Sequence, residues 1–361
     1  MKALVTLVWV CAAAGLCFGE AAPTVQAPAP AAAAPAPAAP APAPPAAPAP
    51  APPAAATAEP APHAEWTFAA CQEAFKASNR NLKINETDFK NAQARKAKVV
   101  AAVEKYLTGK FKEADPNVVR AFCEVPREYF HYNYEQKAAT INNAYESDAK
   151  PWGIGYGSVM SDYLGQVYMT QLAKPQPNQV VLEIGTGSGF QAALLSRMVK
   201  EVYSIEIIEP VGKGVQPIFA PIHYDNVHTK VGDGYYGWPE VQGGFDTIMV
   251  TCAARFVPPA LLEQLKPGGN LIIPVGSPIR GAQTLFVYSK DADGKIHSRR
   301  DVGVYFIPMT GAVQKAKKPE APAKAADKAE VKDQAPKQPA AAATPAPAPA
   351  PPAQAPAPAA K

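Results

Sequence analysis

Residues that hold metals or cross-link a fold are scarce in this chain. Five cysteines and five histidines stand among 361 residues. Cys11 and Cys17 fall in the apolar start, which leaves Cys71, Cys123 and Cys252. No C-x-x-C pair and no zinc-type spacing occurs, so a structural metal is not expected. Cys71 and Cys123 keep two readings, a disulfide or a pair of buried free thiols. Net charge is low as well: 35 basic against 31 acidic residues leave +4. Segment 314–361 holds eight lysines against four acidic residues, an excess equal to that of the whole chain. The remainder is close to neutral and lacks the basic face that a nucleic acid requires, so no nucleic-acid partner is expected. Long apolar runs are missing too. The start, MKALVTLVWVCAAAGLCFGEA, is too short to span a membrane with ordinary flanks. One lysine, an apolar stretch and small residues behind it read as a secretory leader over 1–19. An exported, periplasmic protein is the expectation, or a cytoplasmic one if the leader is not used.

Proline is the residue in excess, 41 in all, and most of it lies in two flanks. Segment 20–64 is nearly all Ala and Pro. Proline at every second or third position forbids helix and favours an extended, solvated tether, expected to be disordered. The Lys/Ala/Pro-rich tail 314–361 carries the same expectation, and its lysines suit an anionic envelope surface. Between the flanks, 65–313 is long enough for one α/β domain with its own core, expected to be a monomer.

That domain is organised around Val180 to Ala192, VVLEIGTGSGFQA. Val180, Val181, Leu182 and Ile184 form the short apolar run of a central parallel strand. Gly185, Gly187 and Gly189 then allow a sharp turn and close approach of a ligand. Ser188 is read as the cap of a helix over Gly189–Val199. A dinucleotide fingerprint needs a glycine at the sixth position, where this chain has Phe190. The pattern is G-x-G-x-G with Glu183 just ahead of it.

A helical preface occupies 65–125. Asn85 caps a long helix, and Asp115-Pro116 opens another. Trp152 to Ser158 is glycine-rich and reads as a loop, ending at Ser161 and Asp162, both good caps for a helix Tyr163–Leu172. Val202–Ile205 is a second strand ending at Glu206, 21 residues after Gly185. An acid at that distance receives the ribose hydroxyls of a nucleotide. Gly212, Gly214, Pro217 and Pro221 break the helix that follows. Val227–Val231 is a third strand, and Asp233 after it stands where a carboxylate accepts from an adenine amino group. Phe245–Val250, Asn270–Val275, Thr284–Tyr288 and Val302–Ile307 complete the strands, with a helix at Pro258–Leu265. Alternating strands and helices predict a doubly wound, mainly parallel α/β sheet with an antiparallel end.

From about Pro116 to Gly311 the chain resembles the protein-L-isoaspartate O-methyltransferases. The matching pieces are VPREYF, VLEIGTGSGFQAALL, VYSIE, YDNV-HTKVGDGYYGWPE, FDTIMVTCAA, PPALLEQLKPGGNLIIPVG and FIPMTG. The resemblance implies a Rossmann-like enzyme that moves a methyl group from S-adenosylmethionine (AdoMet) to the α-carboxyl of L-isoaspartyl residues in damaged proteins, a repair reaction. By position, Ser161 matches the family's active-site serine. Glu183, Gly185, Thr186, Gly187 and Gly189 match the AdoMet loop, Glu206 the ribose acid and Asp233 the adenine-side acid. Ser158-Val159-Met160-Ser161 departs from the family's run, which carries a threonine where Val159 stands. Asp162 is a further departure, because a carboxylate beside an anionic substrate is repulsive unless it faces away. An exported, catalytically weakened member that binds damaged peptides, and an NAD enzyme on the same fold, are the two other readings.

Overall fold

The computed structural model describes residues 65–80, 85–276 and 282–318. The leader 1–19, the tether 20–64 and the tail beyond 318 lie outside the described residues.

The preface is built as its caps dictate. Helix α1 (Phe68–Ala77) starts at Thr67, whose side chain accepts from Ala70 N. Helix α2 (Glu86–Phe111) starts at Asn85, whose side chain accepts from Asp88 N. Helix α3 (Pro116–Glu124) has Asp115 as cap and Pro at its first turn. Each start follows from a side-chain oxygen that satisfies an otherwise unpaired N–H. The stripe Val99, Val103 and Leu107 is buried along α2. Short helix α4 (Arg127–Phe130) follows, and all four of its residues are buried. Glu128 ties the preface to the domain: its carboxylate accepts from Trp66 Nε1, Gln93 Nε2 and Tyr145 Oη.

Two small hairpins come next. Strands β1 (Tyr132–Asn133) and β2 (Ala138–Ala139) pair, as do β3 (Trp152–Gly155) and β4 (Ser158–Met160). The second pair corrects the expectation of a glycine-rich loop at Trp152–Ser158. The segment folds back on itself through Tyr156 and Gly157, both at positive φ. It is fixed from outside by Tyr134 N donating to Ile154 O and Tyr156 N to Glu135 Oε2, at 2.8 and 2.9 Å.

The main sheet has seven strands in the order β11-β10-β9-β8-β5-β6-β7. These are β5 (Val180–Ile184), β6 (Glu201–Glu206), β7 (Val227–Val231), β8 (Phe245–Val250), β9 (Leu265–Gly276), β10 (Gln283–Lys290) and β11 (Ile296–Val304). Strands β9, β8, β5, β6 and β7 run parallel, and β10 is antiparallel to both of its neighbours. The mainly parallel sheet with an antiparallel end is as expected. Strand β9 starts at Leu265 rather than Asn270, and helix α8 is only Pro259–Glu263. The helix gives way because Leu265 already pairs with Phe245 on β8.

Helices α5 (Tyr163–Ala173), α6 (Phe190–Ser196) and α7 (Glu209–Val215) complete the layers. Helix α6 is buried all round. Its cap residue is Gly189, and Ser188 Oγ accepts only from Phe190 N, at 3.3 Å, so the expected serine cap is replaced. The broken helix after Glu206 is observed: α7 ends at Val215 and two 3₁₀ turns carry the chain to Ile222. Helix α9 (Ala312–Lys315) crosses the boundary drawn at 313, because Val313 is buried in the core. The three cysteines are free thiols, Cys71 buried and Cys123 exposed.

Candidate active site

Strand β5 has β6 on one side and β8 on the other, and successive connections leave it in opposite directions. Such a switch point leaves a crevice at the carboxyl ends of the strands. Two adjoining cavities occupy it. The outer cleft, about 350 Å³, is bordered by Tyr156, Glu206, Ile207, Gly234, Cys252 and Met309 among others. The inner pocket, about 30 Å³, is bordered by Ser161, Gln166, Glu183, Thr186, Gln191 and Phe306 among others. Val159, Gly185, Gly187 and Thr251 border both.

The loop after β5 is held by backbone bonds. Gly185 N and Thr186 N both donate to Ile205 O, at 2.8 and 3.2 Å. Thr251, at the end of β8, donates its hydroxyl to Ile184 O and Gly185 O and its N–H to Ile184 O. Gly185 has φ +101°, and a Cβ there would sit 2.5 Å from Thr251 Oγ1. Only glycine fits both that dihedral and that space. Thr186 Oγ1 meets Ser204 Oγ at 2.6 Å, and Ser204 Oγ in turn donates to Glu183 Oε2.

Glu183 is fully buried, and its Oε1 has no partner among the described residues. Burial pushes its carboxyl up to about 8; the Ser204 bond opposes this and the charge of Glu206 adds to it. Glu206 is 5 % exposed. Its Oε2 accepts from Gly187 N at 2.8 Å and its Oε1 from Ile208 N at 2.9 Å. Burial raises the Glu206 carboxyl, against the pull of those N–H groups.

Ser161 lies just ahead of α5, but the helix cap is Asp162, whose Oδ1 accepts from Gly165 N at 2.8 Å. The cap was open to either residue in the sequence. The structure gives it to Asp162, whose carboxylate is thereby turned onto the helix start.

Five of the eight sequence-derived residues border the inner pocket: Ser161, Glu183, Gly185, Thr186 and Gly187. Glu206 joins Gly185 and Gly187 on the outer cleft. Gly189 and Asp233 border neither cavity. Gly189 has φ +85°, and a Cβ on it would press on Phe219 and Val215 at 2.9 Å, so its smallness serves helix packing. Asp233 Oδ1 accepts from Tyr235 N and its Oδ2 from Ala312 N, at 2.9 and 2.7 Å. That carboxylate therefore fastens the C-terminal segment, and the neighbouring Gly234 takes the cleft wall. Sequence reading missed Thr251, Val159 as a wall residue, and Gln166 and Gln191. A hydroxyl at the end of the strand beside the switch point was the available signal for Thr251. The segment Phe306–Thr310 closes one side, fixed by Ala253 N donating to Ile307 O and Met309 N to Ala253 O, both at 2.8 Å.

Comparison with known proteins gives this geometry a family. The model of the protein-L-isoaspartate(D-aspartate) O-methyltransferases matches residues 98–314. Protein-L-isoaspartate O-methyltransferase 2 of Syntrophobacter fumaroxidans is 43 % identical over 197 residues, covering 55 % of this chain and 76 % of that protein. Protein-L-isoaspartate O-methyltransferase 1 of Nitrosospira multiformis is 48 % identical over 161 residues, covering 45 % and 67 %. A solved protein-L-isoaspartate O-methyltransferase superposes with a TM-score of 0.52 at 26 % identity, covering 60 % of this chain and 67 % of that one. With the matched residues taking in the glycine turn, the strand-end carboxylates and the serine ahead of α5, the chain belongs to the protein-L-isoaspartate(D-aspartate) O-methyltransferase family.

Proposed function

We propose that the outer cleft receives the methyl donor and the inner pocket the carboxylate that accepts the methyl, with Ser161 on the acceptor side. The enzyme is an AdoMet-dependent protein carboxyl methyltransferase that acts on L-isoaspartyl residues of damaged proteins. The observation that carries the division of labour is the shared wall of Val159, Gly185, Gly187 and Thr251 between the two cavities.

The residues fit a nucleoside-bearing donor. The outer cleft lies within the roughly 300–1,000 Å³ of small-molecule sites. Glu206, held by two backbone N–H groups, presents a fixed carboxylate to ribose hydroxyls. Glu183 adds a buried carboxyl oxygen, without a partner among the described residues, on the inner pocket beside the shared glycine turn. Bound in the outer cleft, AdoMet would supply a methyl group on a sulfonium leaving group.

The rest falls to the chain. An isoaspartyl carboxylate is ionised at neutral pH, so no general base is required. Ser161 donates a hydroxyl that orients this carboxylate, and Val159 and Phe306 exclude water around it. Holding the reactants in line accounts for several kcal/mol of the barrier. The test is Ser161→Ala, expected to lower methyl transfer to an isoaspartyl peptide ten- to a thousand-fold, about 1.4–4 kcal/mol. Thermal stability stays near wild type because Asp162 already caps the helix. Full activity removes Ser161 from the reaction.

The leader-like start and the proline-rich flanks support an exported form working in the periplasm, with tails near the envelope. Fractionation of cells with an antibody against the domain tests this, and a wholly cytoplasmic, uncleaved protein contradicts it.

A further inference from the structure

Arg127 ranks first by volume among the fully buried side chains of the described residues. A guanidinium is rarely taken out of water unless paired with an acid. Among the described residues the arginine ion pairs are those of Arg120, Arg197 and Arg299, and Arg127 has none. Its Nη1 donates to Gln166 Oε1, and its Nη2 donates to Ser161 O at 2.8 Å. Both acceptors belong to residues that border the inner pocket. The guanidinium carbon lies 4.6 Å from the Phe190 ring centroid, a cation–π contact. The backbone of Arg127 is anchored in turn, its N–H donating to Tyr145 Oη at 3.0 Å. Burial lowers its pKa only to about 10, so the group stays charged at neutral pH.

A methionine would fill much of this space without desolvating a charge. What it would not do is bridge Ser161, just before the cap Asp162, to Gln166 in the first turns of α5. We infer that Arg127 is a positioning residue for methyl transfer: its two-pronged donor locks Ser161 and Gln166 in register on the acceptor side of the pocket. The same charge, without a paired acid, favours a carboxylate in the pocket above it. This inference rests on the reading of Ser161 as the acceptor-side donor.

The experiment compares Arg127→Lys, Arg127→Met, Ser161→Ala and the double variant Arg127→Lys/Ser161→Ala, each in the full chain. Initial rates on an isoaspartyl peptide give kcat and KM. Calorimetry with S-adenosylhomocysteine on the same samples gives affinity and the fraction of competent sites. Lysine keeps the charge but lacks the planar fork. Arg127→Lys is expected to lower kcat five- to fifty-fold with cofactor-product affinity within three-fold of wild type and one site per chain. Arg127→Met is expected to fall further and to raise KM for the peptide. The double variant is expected to be little worse than Ser161→Ala alone, because both changes disturb one unit. Wild-type kcat in Arg127→Lys, or a double variant that multiplies the single effects, overturns the inference. So does a loss of competent sites in step with kcat, which marks a purely structural role. If Arg127→Met does not fold, the lysine variant decides alone. Full activity of Ser161→Ala overturns the reading of Ser161 itself, whereas an impaired Ser161→Ala beside an unimpaired Arg127→Lys overturns only the role of Arg127.

Discussion

Replacing Glu183 by glutamine leaves the shape of the pocket wall and removes one titration. Glu183 is wholly buried, with one oxygen bonded by Ser204 and the other without a partner among the described residues. Its pKa rises from 4.5 for an ordinary glutamate to about 8 in the fold. Between those values the native chain holds a proton that the unfolded chain has released. Stability therefore falls as pH rises across that window, by up to about 1.4 kcal/mol per pH unit from this group. The integral sets a ceiling of about 5 kcal/mol, and relaxation around the charge reduces the expected effect to the order of 1–3 kcal/mol. Near pH 4, below both pKa values, wild type and Glu183→Gln are expected to be equally stable, since the neutral acid and the amide are close in size. At pH 8 and above the variant is expected to be the more stable. Urea unfolding of both proteins, followed by tryptophan fluorescence from pH 4 to pH 8.5, measures the difference, and titrations other than those of Glu183 and its neighbour Glu206 cancel between them. Parallel pH profiles would show instead that Glu183 is hydrated and titrates alike in the folded and unfolded chain.

Glu206→Ala is expected to weaken S-adenosylhomocysteine binding in calorimetry by about 1–3 kcal/mol, since ribose hydroxyls and the Gly187 and Ile208 N–H groups lose their acceptor. Unchanged affinity would remove Glu206 from the cofactor site. Phe190→Ala is expected to cost about 3–5 kcal/mol in urea unfolding, because this ring is fully buried against Phe122 and Phe130. A loss below 1 kcal/mol would show that the core around α6 closes over the cavity.

What could be read from the sequence was local. The apolar runs of β5 and β8 marked those strands to within a residue or two, and Asn85 and Asp115 marked their helix starts because a cap acts within three residues. Glycine misled at Trp152–Ser158, where the pairing of β3 with β4 is set by Asn133–Glu135 packed beside it. Gly189 has a packing reason as well, since a Cβ there would meet Phe219 and Val215 at 2.9 Å. Asp233 stands at a strand end as a cofactor acid would, yet one of its partners, Ala312, lies 79 residues on. Arg127 was invisible for the same reason: its acceptors come 34 and 39 residues later, and no spacing rule joins them.

The enzyme is expected to methylate isoaspartyl carboxylates and not ordinary aspartyl ones. The most direct measurement supplies purified protein with AdoMet labelled in its methyl group and two peptides that differ only in one isoaspartyl or aspartyl linkage. Base-labile methyl ester is expected on the isoaspartyl peptide, none above background on its aspartyl twin, and a ten- to thousand-fold slower labelling of the isoaspartyl peptide by Ser161→Ala. Tight AdoMet binding with no label on either peptide would contradict it.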